Sequence, residues 1–237
     1  LLAVLSGAAL VGPAALARAA SPSGLLAGGV AAAWFLYAGG FPVLGAFTAL
    51  VVFGTAASRI GRARKAEFGA AEARGGRRSA RNVLANAGPA AAGLVVAAFT
   101  DGVIAEAWRA AAAGALVAAT ADTTAGELGM LSAERPRRLL FGRFVARGEN
   151  GGMTFAGTGW SLATAALGAA IAAALGSPES RTATAAAVFC GGACGPLVDS
   201  LLGATIEGRP GVGNETVNAL ASACGGLAAA ALYRALA

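Results

Sequence analysis

The sequence predicts an all-α fold, a polytopic transmembrane bundle of about seven or eight helices. Three observations predict it. The 237 residues are 57% hydrophobic and only 13% charged, with a mean hydropathy of +0.66, whereas soluble domains carry about a quarter charged residues. The apolar stretches run for about 17–23 residues, and a bilayer core of about 30 Å takes about 20 residues of helix. The charges gather in two segments between such stretches. A soluble enzyme, a disulfide scaffold and a disordered chain are excluded. A transmembrane barrel would show short alternating strands instead.

The elements follow in order. The first apolar stretch, about Leu1–Ala17, lacks the basic flank of a secretory leader; because the chain opens without Met, it is expected to begin inside a longer sequence. Ser21-Pro22-Ser23-Gly24 is a turn. A second helix is expected over about Leu25–Ala38, and Gly39-Gly40-Phe41-Pro42 breaks it from a third, about Val43–Ser58. A long basic loop separates these from helix four, about Val83–Thr100, and helix five, about Glu106–Ala121. After a second basic loop come helices over about Met153–Leu175, Thr182–Leu202 and Glu215–Leu236. All of it forms one integral membrane domain, 1–237, with loops at 59–82 and 132–152.

The formal charge of +6 is unevenly placed. Residues 59–82 hold eight basic and two acidic residues, a net of +6, and residues 132–150 hold five and two, a net of +3. Everything else therefore sums to −3. The positive-inside rule sends both loops to the cytoplasm, where they also anchor anionic headgroups. No recognition-helix or aromatic-interleaved pattern accompanies the basic pI, so nucleic acid is not an expected partner. Membrane lipids are.

There is no histidine, which removes Ser-His-Asp triads, Cys-His nucleophiles and His-ligated metals. Cys190 and Cys194 share a helix face, but two thiols make a poor zinc site; with Cys224 they are expected to be small buried hydrophobes. The 36 glycines let helices approach closely. Gly24-x-x-x-Gly28 and Gly191-x-x-x-Gly195 read as packing contacts, compatible with an oligomer and not specifying one.

Four polar clusters stand out: Gly75 to Asn82 with Asn86, Ala121 to Gly129, Glu149 to Thr154, and Asp199 to Thr205 with Asn214 and Asn218. Under the charge-derived topology all four fall at cytoplasmic helix ends. Ionisable residues in such places are costly and are functional candidates by default. Asp122, Glu127 and Asp199 offer hard oxygen ligands suited to Mg²⁺ when phosphate completes the shell. Arg77, Arg78, Arg81 and Arg143 suit phosphate oxygens. Gly151-Gly152 ahead of a helix presents backbone N–H groups to an anion, with Ser200 and the amides of Asn86, Asn150, Asn214 and Asn218 nearby in the pattern. Asn214 also fits an N-cap. Asp122 and Glu127 lie about 140° apart on a straight helix, so both face one site only if the helix breaks at Gly126. The inventory suits Mg²⁺-dependent reaction of a nucleoside triphosphate with a lipid phosphate, where positioning and charge neutralisation carry most of the catalysis.

At these residues the chain resembles an integral membrane family, the DUF92 group, which includes plant phytyl-phosphate kinase and animal transmembrane protein 19. The resemblance is carried by Arg62-Ala63-Arg64-Lys65 through Gly75-Gly76-Arg77-Arg78 to Asn86, by Asp122-Thr123-x-x-x-Glu127-Leu128-Gly129, by Gly148-x-Asn150-Gly151-Gly152, and by Asp199-Ser200-Leu201-Leu202-Gly203-Ala204-Thr205 with Asn214-x-x-x-Asn218. It covers about residues 55–225. Family members carry Ser where Gly126 stands and usually Asn where Glu215 stands. The resemblance implies a CTP-dependent kinase converting an isoprenyl monophosphate to its diphosphate, with its active site on the cytoplasmic face of a bacterial inner membrane. An ion-coupled transporter using the same acids, or a cytidylyltransferase acting on a lipid phosphate, are the alternatives.

Overall fold

The computed structural model describes residues 11–15, 18–67, 77–139 and 142–237. The expected first helix lies mostly outside these residues; 11–15 are helical. The main elements are helices α1 (Pro22–Arg59), α2 (Arg62–Glu67), α3 (Ala80–Ala98) and α4 (Gly102–Gly129), strands β1 (Arg137–Arg138) and β2 (Gly152–Met153), and helices α5 (Phe155–Leu175), α6 (Arg181–Thr205) and α7 (Asn214–Leu236). Five of these helices are long and apolar enough to cross a membrane. The chain is an all-α integral membrane bundle.

Helix α1 is two antiparallel arms. Gly40 adopts φ 68° and ψ −166°, outside helical space, a conformation that glycine reaches without penalty. Phe35 and Phe47 ring centroids are 5.0 Å apart, whereas twelve residues of continuous helix would separate them by about 18 Å. The expected break between two spans is therefore a reversal. Ser21 caps the first arm, accepting from Gly24 N at 3.2 Å, and Pro22 fills a position where no N–H is needed.

Helix α4 is the axis of the bundle and touches α1, α3, α5, α6 and α7. Residues Ala110–Ala121 are buried on every face, and alanine there sets the spacing. A Cβ at Gly195 would lie 2.4 Å from Ala118 Cβ, and one at Gly191 would lie 2.5 Å from the Gly225 carbonyl. The α4–α6–α7 crossings thus depend on missing side chains, as small-residue packing in membranes requires.

Two expectations are corrected here. Helix α4 does not end near Ala121; it runs unbroken to Gly129, so Gly126 makes no kink and the polar cluster is two further helical turns. The cysteines are not all buried: Cys190 and Cys194 are half-buried, and Cys224 is exposed on α7.

The described parts of the basic segments lie at one end of the bundle. The Gly40 turn, the 176–180 turn and Tyr233 line one hollow at the other end, and the chain alternates between ends from there. In the second basic loop β1 pairs antiparallel with β2, Arg137 opposite Met153, which folds the loop back over the ends of α4 and α6.

Candidate functional site

At the basic end, α4, α6 and the second loop enclose a cavity of about 230 Å³. Asp122 and Gly126 line it from α4, Asp199 and Ser200 from α6, and Gly148–Gly152 with Arg147 from the loop. The two acids also share a small void with Asn86 of α3 and Asn218 of α7. Oriented to satisfy both groups, the Asn218 amide donates to Asp199 Oδ1 at 3.2 Å and to the Asn214 carbonyl at 3.3 Å. Asn86 Nδ2 donates to the Asn82 carbonyl at 2.9 Å. Asp122 interacts electrostatically with Asp199, Glu207 and Arg78. Five helices contribute to the site, since Gly157 and Thr158 of α5 also line the cavity.

The loop is fitted to α6 at Gly151. Its φ is +76°, and a Cβ there would lie 2.7 Å from the Ala204 nitrogen. Ser200 Oγ donates to the Gly151 carbonyl at 2.9 Å. Ser200 thus holds the loop against α6, one residue from Asp199. Arg147 braces the loop's far side through the carbonyls of Met130, at 2.8 Å, and Ser132.

The helix N-terminus beyond the glycines is already occupied. Phe155 N and Ala156 N donate to Glu134 Oε2 at 2.7 and 3.4 Å, and Gly157 N donates to Thr154 Oγ1 at 2.9 Å. A carboxylate at a helix N-terminus is electrostatically favourable. The protein's own Glu134 takes the anion position at this N-terminus, and the Gly152 N–H, expected to face an anion, donates to the Glu149 carbonyl at 3.1 Å.

Of the candidate residues, the structure brings together Asp122, Asp199, Asn150, Gly151, Gly152 and Ser200 around the cavity, with Asn86 and Asn218 behind the acids. Glu127 is elsewhere: its Oε2 lies 2.6 Å from Lys65 Nζ, away from the cavity. The unbroken α4 is the reason. Arg77 and Arg143 are exposed and line no cavity described above. Arg81 is exposed and sits 3.5 Å from Glu215, a pair of little energetic weight. Asn214 begins α7, but the N-cap is Gly213 and makes no side-chain cap. Arg78 reaches Asn82 Oδ1 at 3.3 Å and Ser58 Oγ at 3.2 Å.

Three contributors escape sequence reasoning. Lys65 is one basic residue in a run of arginines. Glu134 sits in a loop read only for its net charge. Glu207 follows α6 in what reads as a short turn, yet burial raises its carboxyl above the usual 4.5.

The donor set fits a divalent cation held jointly with a substrate. Among the described residues no three carboxylate, thiol or imidazole groups converge as a complete metal shell. Two neighbouring carboxylates in a membrane-embedded site nevertheless call for a compensating charge. Mg²⁺ typically takes one or two carboxylates and completes its shell with phosphate and water. The opposite end has a wider hollow, about 580 Å³, where Arg109 is held by Glu106 at 2.5 Å and by the Ala38 carbonyl at 3.4 Å.

Fold and site together define a polytopic helical membrane protein with an acid-lined cavity at its basic end. The chain belongs to the integral membrane protein family DUF92, which it matches over residues 5–226. It is 32% identical over 203 residues to an uncharacterised membrane protein of Methanocaldococcus jannaschii, covering 84% of this chain and 79% of that one. No solved structure matches it.

Proposed function

We propose that the protein is a Mg²⁺-dependent isoprenyl-phosphate kinase that transfers the terminal phosphoryl group of CTP to an isoprenyl monophosphate. The observation that carries this reading is the meeting of Asp122 and Asp199, from two membrane helices, in one cavity walled by Gly148–Gly152. The resemblance of those segments to phytyl-phosphate kinase supplies the nucleotide and the lipid. The positive-inside rule turns the basic end toward the cytoplasm, where CTP is available; for a bacterial protein this is the inner membrane.

Asp122 and Asp199 would hold Mg²⁺ together with phosphate oxygens. The ion supplies charge neutralisation on the transferring phosphoryl group. Asn218 fixes the Asp199 carboxylate, Ser200 keeps the glycine loop beside it, and Arg78 supplies positive charge on the far side of Asp122. The acceptor's phosphate oxygen attacks the γ-phosphorus and the bond to the β-bridging oxygen breaks, releasing CDP. The acceptor is already an anion, so no strong general base is needed, which suits a chain without histidine. Catalysis is then positioning and electrostatics.

The test uses purified protein in nanodiscs with Mg²⁺, a panel of nucleoside triphosphates and isoprenyl monophosphates of several lengths. Isoprenyl diphosphate with CDP is the expected product pair. Pyrophosphate with a CDP-linked lipid would assign a cytidylyltransferase, and transfer in no combination would remove the enzyme reading.

A further inference from the structure

A second, apolar cavity lies beside the acids on the side away from the glycine loop. Its walls are the two arms of α1, the first turns of α3 and, ahead of α1, Val11, Ala14, Ala19 and Ala20, with Gly28, Leu50, Val51, Gly54 and Val83 also facing it. Its polar lining includes Arg78, Asn82, Asn86 and Thr123. Three of these belong to the basic end: Arg78 and Asn82 flank the start of α3, and Asn86 lies one turn further in. The slot is therefore hydrocarbon-lined along its length and capped by a cation and amides where the bundle meets its basic surface.

Asn86 also lines the void shared by Asp122, Asp199 and Asn218. The apolar slot, the acid pair and the glycine-walled cavity thus form one sequence across the bundle. Arg78 is near enough to Asp122 to interact with it electrostatically, so a group at the head of the slot lies close to both a guanidinium and the acids.

We propose that this slot seats the hydrocarbon chain of a single-chain lipid monophosphate, whose phosphate is held by Arg78, Asn82 and Asn86. The proposal rests on the kinase reading and assigns its acceptor a place, with the nucleotide on the other side of Asp122 and Asp199. The occupant must combine an anionic head with an apolar tail, because Arg78, Asn82 and Asn86 cluster on one side of a slot whose lining is otherwise mostly apolar. The single tail follows from the kinase reading, whose acceptor carries one isoprenyl chain.

Gly28 gives a clean way to fill the slot. A Cβ there meets nothing within 4 Å among the described residues, and the residue is helical. By contrast, a Cβ at Gly24, one turn earlier, would lie 2.1 Å from the Arg78 carbonyl. Gly24 holds the backbone together, and Gly28 has room for a side chain among the described residues.

The experiment labels the full protein in nanodiscs, without nucleotide or Mg²⁺, using an isoprenyl monophosphate that carries a photoreactive diazirine in its tail. Adducts are mapped by peptide mass spectrometry. Adducts are expected within 47–54 and 83–87, with no competition from an equal amount of phosphatidic acid. Gly28→Phe should reduce them roughly tenfold, the loss that follows when two methylene groups are displaced from an apolar site. Its thermal midpoint should stay unchanged, and Gly28→Ala should label as the parent does. Adducts confined to outward-facing positions such as Leu26 or Val30, full labelling of a folded Gly28→Phe variant, or equal competition by phosphatidic acid would overturn the proposal. Labelling in the slot with no diphosphate formed would leave the slot standing and remove the kinase. Diphosphate formation with labelling elsewhere would do the reverse.

Discussion

Lys65 Nζ donates to Glu127 Oε2 across 2.6 Å, and to the Ala57 carbonyl across 2.7 Å, with both charged side chains buried. The pair ties α2, the short helix of the first basic loop, to the end of α4 and the end of the second α1 arm. Removing one partner of a buried ion pair leaves an uncompensated charge, at a cost of about 3–5 kcal/mol. Glu127→Gln should therefore lower the thermal midpoint of the detergent-solubilised protein sharply. Replacing both residues together, as Lys65→Met with Glu127→Leu, should restore much of the loss. A Glu127→Gln variant that melts like the parent but loses Mg²⁺ affinity would return Glu127 to the metal site.

Asp122 and Asp199 carry the opposite expectation. Each faces the cavity, and Asn at position 199 keeps an oxygen that can accept from Asn218, so neutralising either acid mainly removes charge the site uses. Asp199→Asn and Asp122→Asn should each reduce phosphoryl transfer by at least about a hundredfold, the scale of losing one aimed electrostatic group. Membrane insertion and thermal stability should hold. Full activity in a correctly inserted Asp199→Asn protein would remove that residue from the mechanism.

How much of this was legible in the sequence follows from what each residue depends on. The membrane class, the break at Gly40 and the one-sided polar clusters rest on composition and local pattern, and they are visible before folding. Asp122, Asp199 and the Asn150-Gly151-Gly152 loop converge because the charge topology already puts their helix ends together. Glu127 escaped because its direction depends on whether α4 bends at Gly126, and glycine tolerates either state. Its partner Lys65 lies 62 positions away, and no local pattern announces a pairing at that distance. The helix N-terminus after Gly152 looked open to an anion because Glu134, 21 residues upstream of Phe155, reaches it only through the folded loop.

Gly151 offers a test of the loop's role. Its φ of +76° and the 2.7 Å approach to Ala204 make Gly151→Ala unfavourable twice over. A non-glycine residue in a sparsely populated backbone region costs about 1–3 kcal/mol, and the methyl group must also push the loop off α6. The Ser200–Gly151 bond should break with it. The variant should bind Mg²⁺-nucleotide more weakly, read by equilibrium dialysis, with a modest fall in melting temperature. Gly142→Ala, also at positive φ but with nothing within 4 Å of its Cβ among the described residues, should lose some stability and keep nucleotide binding. Equal binding in both variants would detach the glycine loop from the nucleotide.

Glu207 makes stability depend on pH in a definite direction. It follows α6 at the basic end, beyond the span, and burial raises its carboxyl above the usual 4.5. A raised carboxyl binds its proton more tightly in the folded protein than in the unfolded chain. The resulting stabilisation is complete below the unfolded value, and it declines as pH climbs through the folded one. Glu207→Gln removes this contribution, because the amide stays neutral throughout. The difference in melting temperature, Glu207→Gln minus parent, should therefore grow in favour of the variant as pH rises from about 4 to 7. A difference that stays flat across that range, or shrinks, would show that the Glu207 carboxyl is charged at no cost in the folded protein.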